Sequence, residues 1–407
     1  MTIQDVTIIG AGAAGCFASI LLKEINPSLH VCLLEKTRQP LAKVKVSGGG
    51  RCNVTHHCFE IPFLTGQYPR GKEFLQSAFS RFQPQDMIQW LLEKGIELKV
   101  EADGRMFPIT DRSQTIIDCF LSLIEKLGVL LCLESEVVGI SKEGELFLLE
   151  LKNGQKIRSK KVLFSTGGTQ KSYSLLKDLG HEIIAPMPSL FTFEIAEPWI
   201  KNLSGSVAKT ARISLEGFNM EIAGPVLVTH FGLSGPATLK LSAFAARWLF
   251  ERDYRSLVLL NWVGMPESKV REDLFAQRKA FPGQKVTLRP LFALSKALWH
   301  ALVLEVSESL KDKKWSEVSK QEINELTSKL TKTQLTLIGK SLNKEEFVTS
   351  GGVDLRELHP KTLESKKVPG LYFAGELLNV DGVTGGFNFQ NAWTSAYLAA
   401  HAMALSD

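Results

Sequence analysis

Val6-Thr7-Ile8-Ile9-Gly10-Ala11-Gly12-Ala13-Ala14-Gly15 is a β-rich apolar run that breaks into three glycines spaced GxGxxG. Helix-forming residues continue to about Ile25, so the order is strand, glycine turn, helix. Gly10 permits the tight turn, Gly12 lets the backbone approach a pyrophosphate, and Gly15 lets the helix pack closely on the strand. The helix start, with the amides of Ala13 and Ala14, faces phosphate oxygens with about half a positive charge. A second strand, His30 to Leu34, runs into Glu35-Lys36, and Glu35 lies 20 residues past the last glycine. Its carboxylate can accept both hydroxyls of an adenosine ribose. Strand, turn, helix and acid together predict a Rossmann-like dinucleotide site, which up to Glu35 serves NAD and FAD equally.

Working outward, Ala42 to Thr55 holds Ser47-Gly48-Gly49-Gly50-Arg51-Cys52-Asn53, too rich in glycine for a regular element, and is expected to be a loop against a ligand. Helical patterns follow at 72–82, 84–94 and 113–127, with strands at 96–100, 106–107, 129–133, 136–142, 146–151 and 156–165. The last of these strands ends in Thr166-Gly167-Gly168, again suited to close approach of backbone to a ligand. From about Leu190 short β-like runs appear at 191–195, 211–215, 220–223, 226–229 and 257–262, and 266–332 is helical and charge-rich. Strand and glycine-turn material returns at 348–354, at Leu371 to Ala374 before Gly375-Glu376, and at Gly385-Gly386, which open a final helix.

With 407 residues and about 150 per domain, two or three domains are expected. Hydrophobic residues at 44% and charged residues at 22% fit an ordinary globular protein and exclude disordered or fibrous classes. A balance of 48 Lys+Arg against 43 Asp+Glu, without a long like-charge run, does not imply a nucleic-acid partner. The six cysteines all lie in the first third, without the spacing of a secreted disulfide scaffold, so a reducing compartment is expected. Ala13-Ala14-Gly15-Cys16 resembles a lipoprotein cleavage box, but Asp5 precedes the apolar run, no Lys or Arg occurs before Lys23, and glycines interrupt the run. The best membrane-span candidate, 239–250, contains Lys240 and Arg247. A cytoplasmic protein without a span is expected.

Gly10 to Gly15 with Glu35, Leu163-Phe164-Ser165-Thr166-Gly167-Gly168, and Pro369-Gly370-Leu371-Tyr372-Phe373-Ala374-Gly375-Glu376 follow the order seen in two-dinucleotide-binding-domain flavoproteins. More specifically, Ser47 to Asn53, Asp103-Gly104-Arg105-Met106-Phe107-Pro108, Thr229-His230-Phe231-Gly232-Leu233-Ser234-Gly235-Pro236, and Thr384-Gly385-Gly386-Phe387-Asn388 resemble the BaiN-like (YhiN-like) bacterial NAD(P)/FAD-dependent oxidoreductases. The resemblance runs from about residue 5 to 402. It implies an α/β fold with a discontinuous Rossmann-like FAD-binding domain (1–190 and 341–407), an inserted β-barrel-like domain (191–264 and 333–340) and a helical domain (265–332). It further implies that FAD is held by Gly10, Gly12, Ala13, Ala14, Gly15, Glu35, Lys36, Ser47, Gly48, Gly49, Gly50, Arg51, Cys52, Asn53, Thr166, Gly167, Gly168, Gly375, Glu376, Gly385, Gly386, Phe387 and Asn388. His56 stands where that family often has Asn, and Phe387 where it often has Tyr.

Glu376 is the candidate for holding the ribityl chain. The helix opened by Gly385-Gly386 can point its N-terminus at the flavin pyrimidine and stabilise the anionic reduced form. Asn388 and Gln390, in its first turn, can cap the helix or bond a ring carbonyl. Arg105 could place its guanidinium over substrate or flavin and pair a carboxylate, and His230, because histidine titrates near neutral pH, or a water could supply a proton. Cys52, His56, His57 and Cys58 have the spacing C-x3-H-H-C, which matches no common zinc site, so no metal is expected and Cys52 is read as a packing thiol. The expected activity is hydride transfer from a reductant to an electron-poor organic acceptor, a conjugated C=C among the candidates. No second GxGxxG is visible, so NAD(P)H would bind only transiently. The alternatives are a flavin-dependent tRNA-modifying protein and a flavin-bound interaction protein without turnover.

Overall fold

A computed structural model describes residues 3–341 and 348–405. Its strand Gln4–Ile9 lies between Val31–Leu34 and Lys156–Phe164, parallel to both, with Ile9 opposite Leu34 and Phe164. Leu130–Cys132 adds a further parallel strand beyond Val31–Leu34. Lys156–Phe164 changes partner along its length. Its beginning pairs antiparallel with Leu146–Leu151, itself in a hairpin with Val137–Glu143, and its end takes Leu371–Phe373 in parallel. Ile9, Leu34, Phe164 and Phe373 therefore finish level, and the turns leaving them crowd one edge of the sheet.

The helix Ala13–Ile25 buries every residue from Ala14 to Leu22 and packs on the C-terminal helix Phe387–Leu405. The ring of Phe17 stands edge-on to Trp393 at 5.7 Å and to Trp90 at 4.9 Å. Phe17 and Trp393 are fully buried, and truncating either to alanine should cost about 3–5 kcal/mol. A small sheet of Thr55–His56, Arg105–Pro108 and Leu98–Val100 completes the wall beside that helix pair.

The chain divides into two compact units, Met1–Met187 with Val348–Asp407, and Pro188–Phe347. The second unit is built on an eight-stranded antiparallel sheet whose order runs from Val207–Ala208 to Glu221–Ala223. The helices Glu267–Ala280, Lys296–Val306 and Lys320–Thr331 share its hydrophobic core, in which Trp262, Trp299 and Trp315 are buried. Two of the three indoles are hydrogen-bonded: Trp262 Nε1–H donates to Thr333 Oγ1 (2.9 Å) and Trp299 Nε1–H to Val286 O (2.9 Å).

Local expectations change in three places. The stretch 42–55 is not all loop, because Ala42–Gly50 is a helix that breaks at Ser47 (ψ 146°) and passes through left-handed Gly48 and Gly49. Apolar Val44 anchors that first turn, a signal outweighed in the sequence by the glycines after it. The helix Gln170–Asp178 was not expected; Thr169 caps it, its Oγ1 accepting from Ser172 N–H at 3.3 Å. The strand Ile183–Ser189, paired with Val348–Val353, was hidden by its two prolines. Among the described residues no helix is long and apolar enough to cross a membrane.

Candidate cofactor and active site

The turn after the first strand is shaped by close backbone approach. Gly10 has φ +102°, and a Cβ on it would stand 2.8 Å from Ser165 O; one on Gly15 would stand 2.0 Å from Gly10 O. Gly12 differs: a Cβ there would meet nothing within 4 Å, so the surface before the helix start is clear. Gly12 is also the helix N-cap and carries no side-chain cap, which leaves Ala13 and Ala14 at an open, positively polarised terminus. Glu35 is held in place from its own side of the crest. Ala11 N–H donates to its Oε2 (3.1 Å), and Thr37 donates N–H and hydroxyl to its Oε1, both at 2.9 Å. A cavity of about 140 Å³ opens there, lined by Gly10, Glu35, Lys36, Ser135, Glu136 and Thr166 among others. A hollow of about 360 Å³ at Gln4, Lys23 and His30 lies at the opposite ends of the strands, whereas open parallel sheets bind ligands at the carboxyl ends.

Thr166-Gly167-Gly168 and Gly375-Glu376 leave neighbouring strands and meet over this crest. A Cβ on Gly167 would lie 3.6 Å from Glu376 Oε2. Glu376 is ion-paired with Lys43, and its other oxygen accepts from Thr349 N–H at 3.5 Å. Gly375 N–H donates to Ser395 Oγ (2.9 Å), tying this turn to the C-terminal helix. The Tyr173 hydroxyl is buried beside Gly168, and burial, with the nearby Glu376 charge, pushes its pKa up to about 12.

The segment Ser47 to Asn53 wraps the far side. Gly48 is pressed against Phe107, whose Cε1 would be 2.8 Å from a Cβ, while Gly49 and Gly50 face open space. The guanidinium of Arg51 lies 4.0 Å over the Phe107 ring and donates to Glu101 Oε1 (2.5 Å). Arg105 reaches the other Glu101 oxygen (3.0 Å) and Asp103 (2.8 Å), 5.5 Å from the same ring. Two guanidiniums thus flank one phenyl ring and share one carboxylate. Ser47 Oγ donates to Val44 O, and Cys52 is buried, with desolvation pushing its thiol up to about 12, so it holds no thiolate at neutral pH.

The helix end contributes by backbone more than by side chain. The Asn53 amide, oriented to satisfy both its ends, accepts from Gly386 N–H (2.9 Å) and donates to Thr55 O (3.0 Å). Asn388 bonds the Gly382 backbone at both ends, each at 2.9 Å, and Gln390 accepts from Thr55 Oγ1 (2.6 Å) while donating to Thr394. Both amides are therefore engaged in fixing the chain. The Phe387 ring stacks on His56 at 4.6 Å and 20°, and desolvation lowers the His56 pKa.

A family model described as HI0933-like protein Rossmann domain matches residues 4–402. The chain belongs to the HI0933-like family. It is 32% identical over 406 residues, 97% of each chain, to the Escherichia coli (strain K12) protein named ribosomal RNA dihydrouridine synthase. It is 26% identical over 409 residues, 98% of each chain, to the 3-dehydro-bile acid delta(4,6)-reductase of Clostridium scindens. In fold it is similar to 3-ketosteroid delta1-dehydrogenase from Sterolibacterium denitrificans, with TM-score 0.53 at 12% identity and full coverage of both chains. This HI0933-like chain is thus a flavoprotein oxidoreductase of Rossmann type.

Its residues fit FAD: an acid pinned just past the second strand, an uncapped helix start, and glycines 12, 49 and 50 left clear by the fold. Lys43, Glu101, Ser135, Glu136 and Tyr173 join this neighbourhood without having been singled out from the sequence; Lys43 and Glu101 meet Glu376 and Arg51, which are remote from them in the chain. His230 is on the exposed Thr229–Gly232 turn of the second unit, closed by Thr229 N–H to Gly232 O at 2.7 Å, with its ring 4.0 Å from Phe231. Among the described residues no cluster of His, Cys, Asp or Glu is arranged to hold a metal ion.

Proposed function

We propose that this protein uses FAD to reduce the C5–C6 double bond of uridine in ribosomal RNA. The observation that carries the reading is the end-to-end match, over 97% of both chains, to a protein bearing that activity in its name. The 26% relative named as a bile-acid reductase fits the same chemistry, because in both substrates the reduced C=C is conjugated to a carbonyl. When bound and reduced by the nicotinamide donor, FAD would supply the hydride for the β-carbon of that system. Glu35 holds the adenosine ribose, the Gly12 turn and helix start hold the pyrophosphate, and Glu376, oriented by Lys43 and the Thr349 amide, holds the ribityl chain. Arg51 and Arg105, stiffened by Glu101 and Phe107, orient the acceptor carbonyl and favour its developing negative charge. A proton added at the α-carbon completes addition of two hydrogens across the bond. NAD(P)H is the proposed reductant, bound transiently.

The test is incubation of the FAD-loaded protein, NADH or NADPH, and an unmodified ribosomal RNA transcript, followed by nucleoside mass spectrometry. Formation of dihydrouridine is expected. Its absence, with rapid reduction of a small conjugated ketone by the same preparation, would favour the second reading, a reductase of small enones.

A further inference from the structure

The net charge of the chain is not evenly spread. Pro188–Phe347 contains 22 Lys+Arg and 17 Asp+Glu, and the other unit contains 26 of each, so the whole excess of +5 belongs to the second unit. Inside that unit, main-chain bonds lay residues 282–288 along 311–316. Val286 N–H donates to Lys313 O (3.1 Å), Trp315 N–H to Gln284 O (2.9 Å) and Ser316 N–H to Pro282 O (2.9 Å), while Lys285 bridges Lys314. The ladder is seated by Trp299 and Trp315, whose burial fixes it on the core.

The ladder and the residues flanking it are rich in exposed cations. Lys285 and Lys313 are matched by Asp312 (2.9 Å) and Glu322 (2.6 Å). Lys311 and Lys314 on the ladder, Arg289 just past it and Lys279 at the end of the helix leading into it are exposed, with Asp312 also close to Lys311 and Glu317 accepting the Lys314 N–H (2.7 Å). Phe281 is 38% and Leu288 63% exposed in the same stretch. Exposed cations and an exposed aromatic residue in one stretch are the two kinds of group that a nucleic-acid strand uses, attraction for phosphates and a face on which a base can stack.

We infer that this ladder is an RNA-docking surface, its cations gripping the backbone of the ribosomal RNA whose uridine the protein reduces. The inference rests on the proposed function, and it adds where the RNA is held. It also explains why a weak overall charge suffices: the excess is gathered in one unit, and the unit that carries the nucleotide turns is neutral.

The test uses the full-length, FAD-loaded protein and a fluorescently labelled, unmodified ribosomal RNA transcript, with affinity measured by anisotropy over a series of salt concentrations. One variant combines Lys279→Gln, Arg289→Gln, Lys311→Gln and Lys314→Gln. A matched control combines Lys72→Gln, Lys126→Gln, Lys177→Gln and Lys361→Gln, all exposed in the other unit. The ladder variant should bind at least roughly tenfold more weakly and show a log–log salt slope shallower by about three, since each lost phosphate contact removes about 0.7–0.9. The control should match wild type, and both variants should keep wild-type flavin content and small-enone reduction. Wild-type affinity and slope in the ladder variant would overturn the surface alone, provided that wild-type protein forms dihydrouridine. Wild-type protein that reduces a small enone but neither binds nor reduces the transcript would overturn the surface together with the proposed function. Loss of binding to polyglutamate or phosphatidylserine vesicles in the ladder variant, with RNA binding intact, would reassign the ladder to an acidic protein or an anionic membrane.

Discussion

The nucleotide unit and the second unit fix their critical positions by opposite means. In the first, backbone meets backbone: Gly15 would place a Cβ 2.0 Å from Gly10 O, and Gly386 one 2.5 Å from Thr55 O. In the second, large side chains fill a core, with Trp262, Trp299 and Trp315 buried among aliphatic residues. The first kind of constraint admits only glycine, whereas the second is met by many apolar combinations of similar volume. The difference should separate folding from cofactor binding. Trp299→Ala should cost about 3–5 kcal/mol in a urea melt and leave the flavin content of the still-folded protein at wild-type level. Flavin lost in proportion to stability would show that the two units do not behave separately.

The same contrast explains what could be read from residues alone. Gly10, Gly12, Gly15 and Glu35 were legible because a phosphate site needs uncovered amides and a ribose needs a fixed acceptor, and both demands select residue types at short spacing. The pairings of Lys43 with Glu376 and of Arg51 with Glu101 were not legible, because each joins residues remote in the chain and Lys43 or Glu101 alone looks like a solvated surface charge. Asn388 illustrates the converse. Its place in the first turn suggested a cap or a flavin contact, but the Gly382 loop claims both ends of its amide. In the second unit the sequence announced β and helical stretches without saying that they share one core, since no motif marks a helix that packs on its own sheet.

Glu35→Ala tests the ribose end of the nucleotide unit. The carboxylate is prepaid in orientation by Ala11 and Thr37, so its removal takes a charge-assisted acceptor from the cofactor and leaves the core intact. FAD affinity should fall by about 1.5–3 kcal/mol, measured by fluorescence on titrating apoprotein, with a melting temperature of the apoprotein close to wild type. An unchanged affinity would remove Glu35 from the site.

Gly12 and Gly15 then sharpen the comparison within a single turn. Gly15→Ala forces a methyl into the Gly10 carbonyl and should destabilise the apoprotein by about 1–3 kcal/mol. Gly12→Ala meets nothing within 4 Å and should leave apoprotein stability within about 0.5 kcal/mol while still weakening FAD. If both substitutions destabilised the apoprotein equally, the clear surface at Gly12 would not be a cofactor cradle.

The smallest effect concerns pH and a buried histidine of the nucleotide unit. His181 lies between Glu357, at 2.8 Å from its Nδ1, and Ser365 Oγ, at 3.0 Å from its Nε2. The order resembles a nucleophilic triad, but Ser365 is 2% exposed and its oxygen accepts Lys367 N–H (3.0 Å) and Val368 N–H (2.8 Å), so it is a structural knot. Burial holds the His181 pKa below its ordinary 6.5, although Glu357 pulls the other way. Because the folded state resists a proton that the unfolded chain accepts, the stability due to neutral His181 is complete above pH 6.5 and drains away as pH falls from there toward the lowered folded value. Glu357, whose carboxyl is held low by Lys367, the Glu182 amide and His181 against its own desolvation, adds a separate loss at lower pH, below its ordinary 4.5. Urea melts stepped down from pH 8 should therefore show wild-type stability declining below about pH 6.5. His181→Gln, less stable at pH 8, should decline less over that first interval, and a decline equal to wild type would move the acid sensitivity to other groups, with His56 and His401, also lowered by burial, next in line.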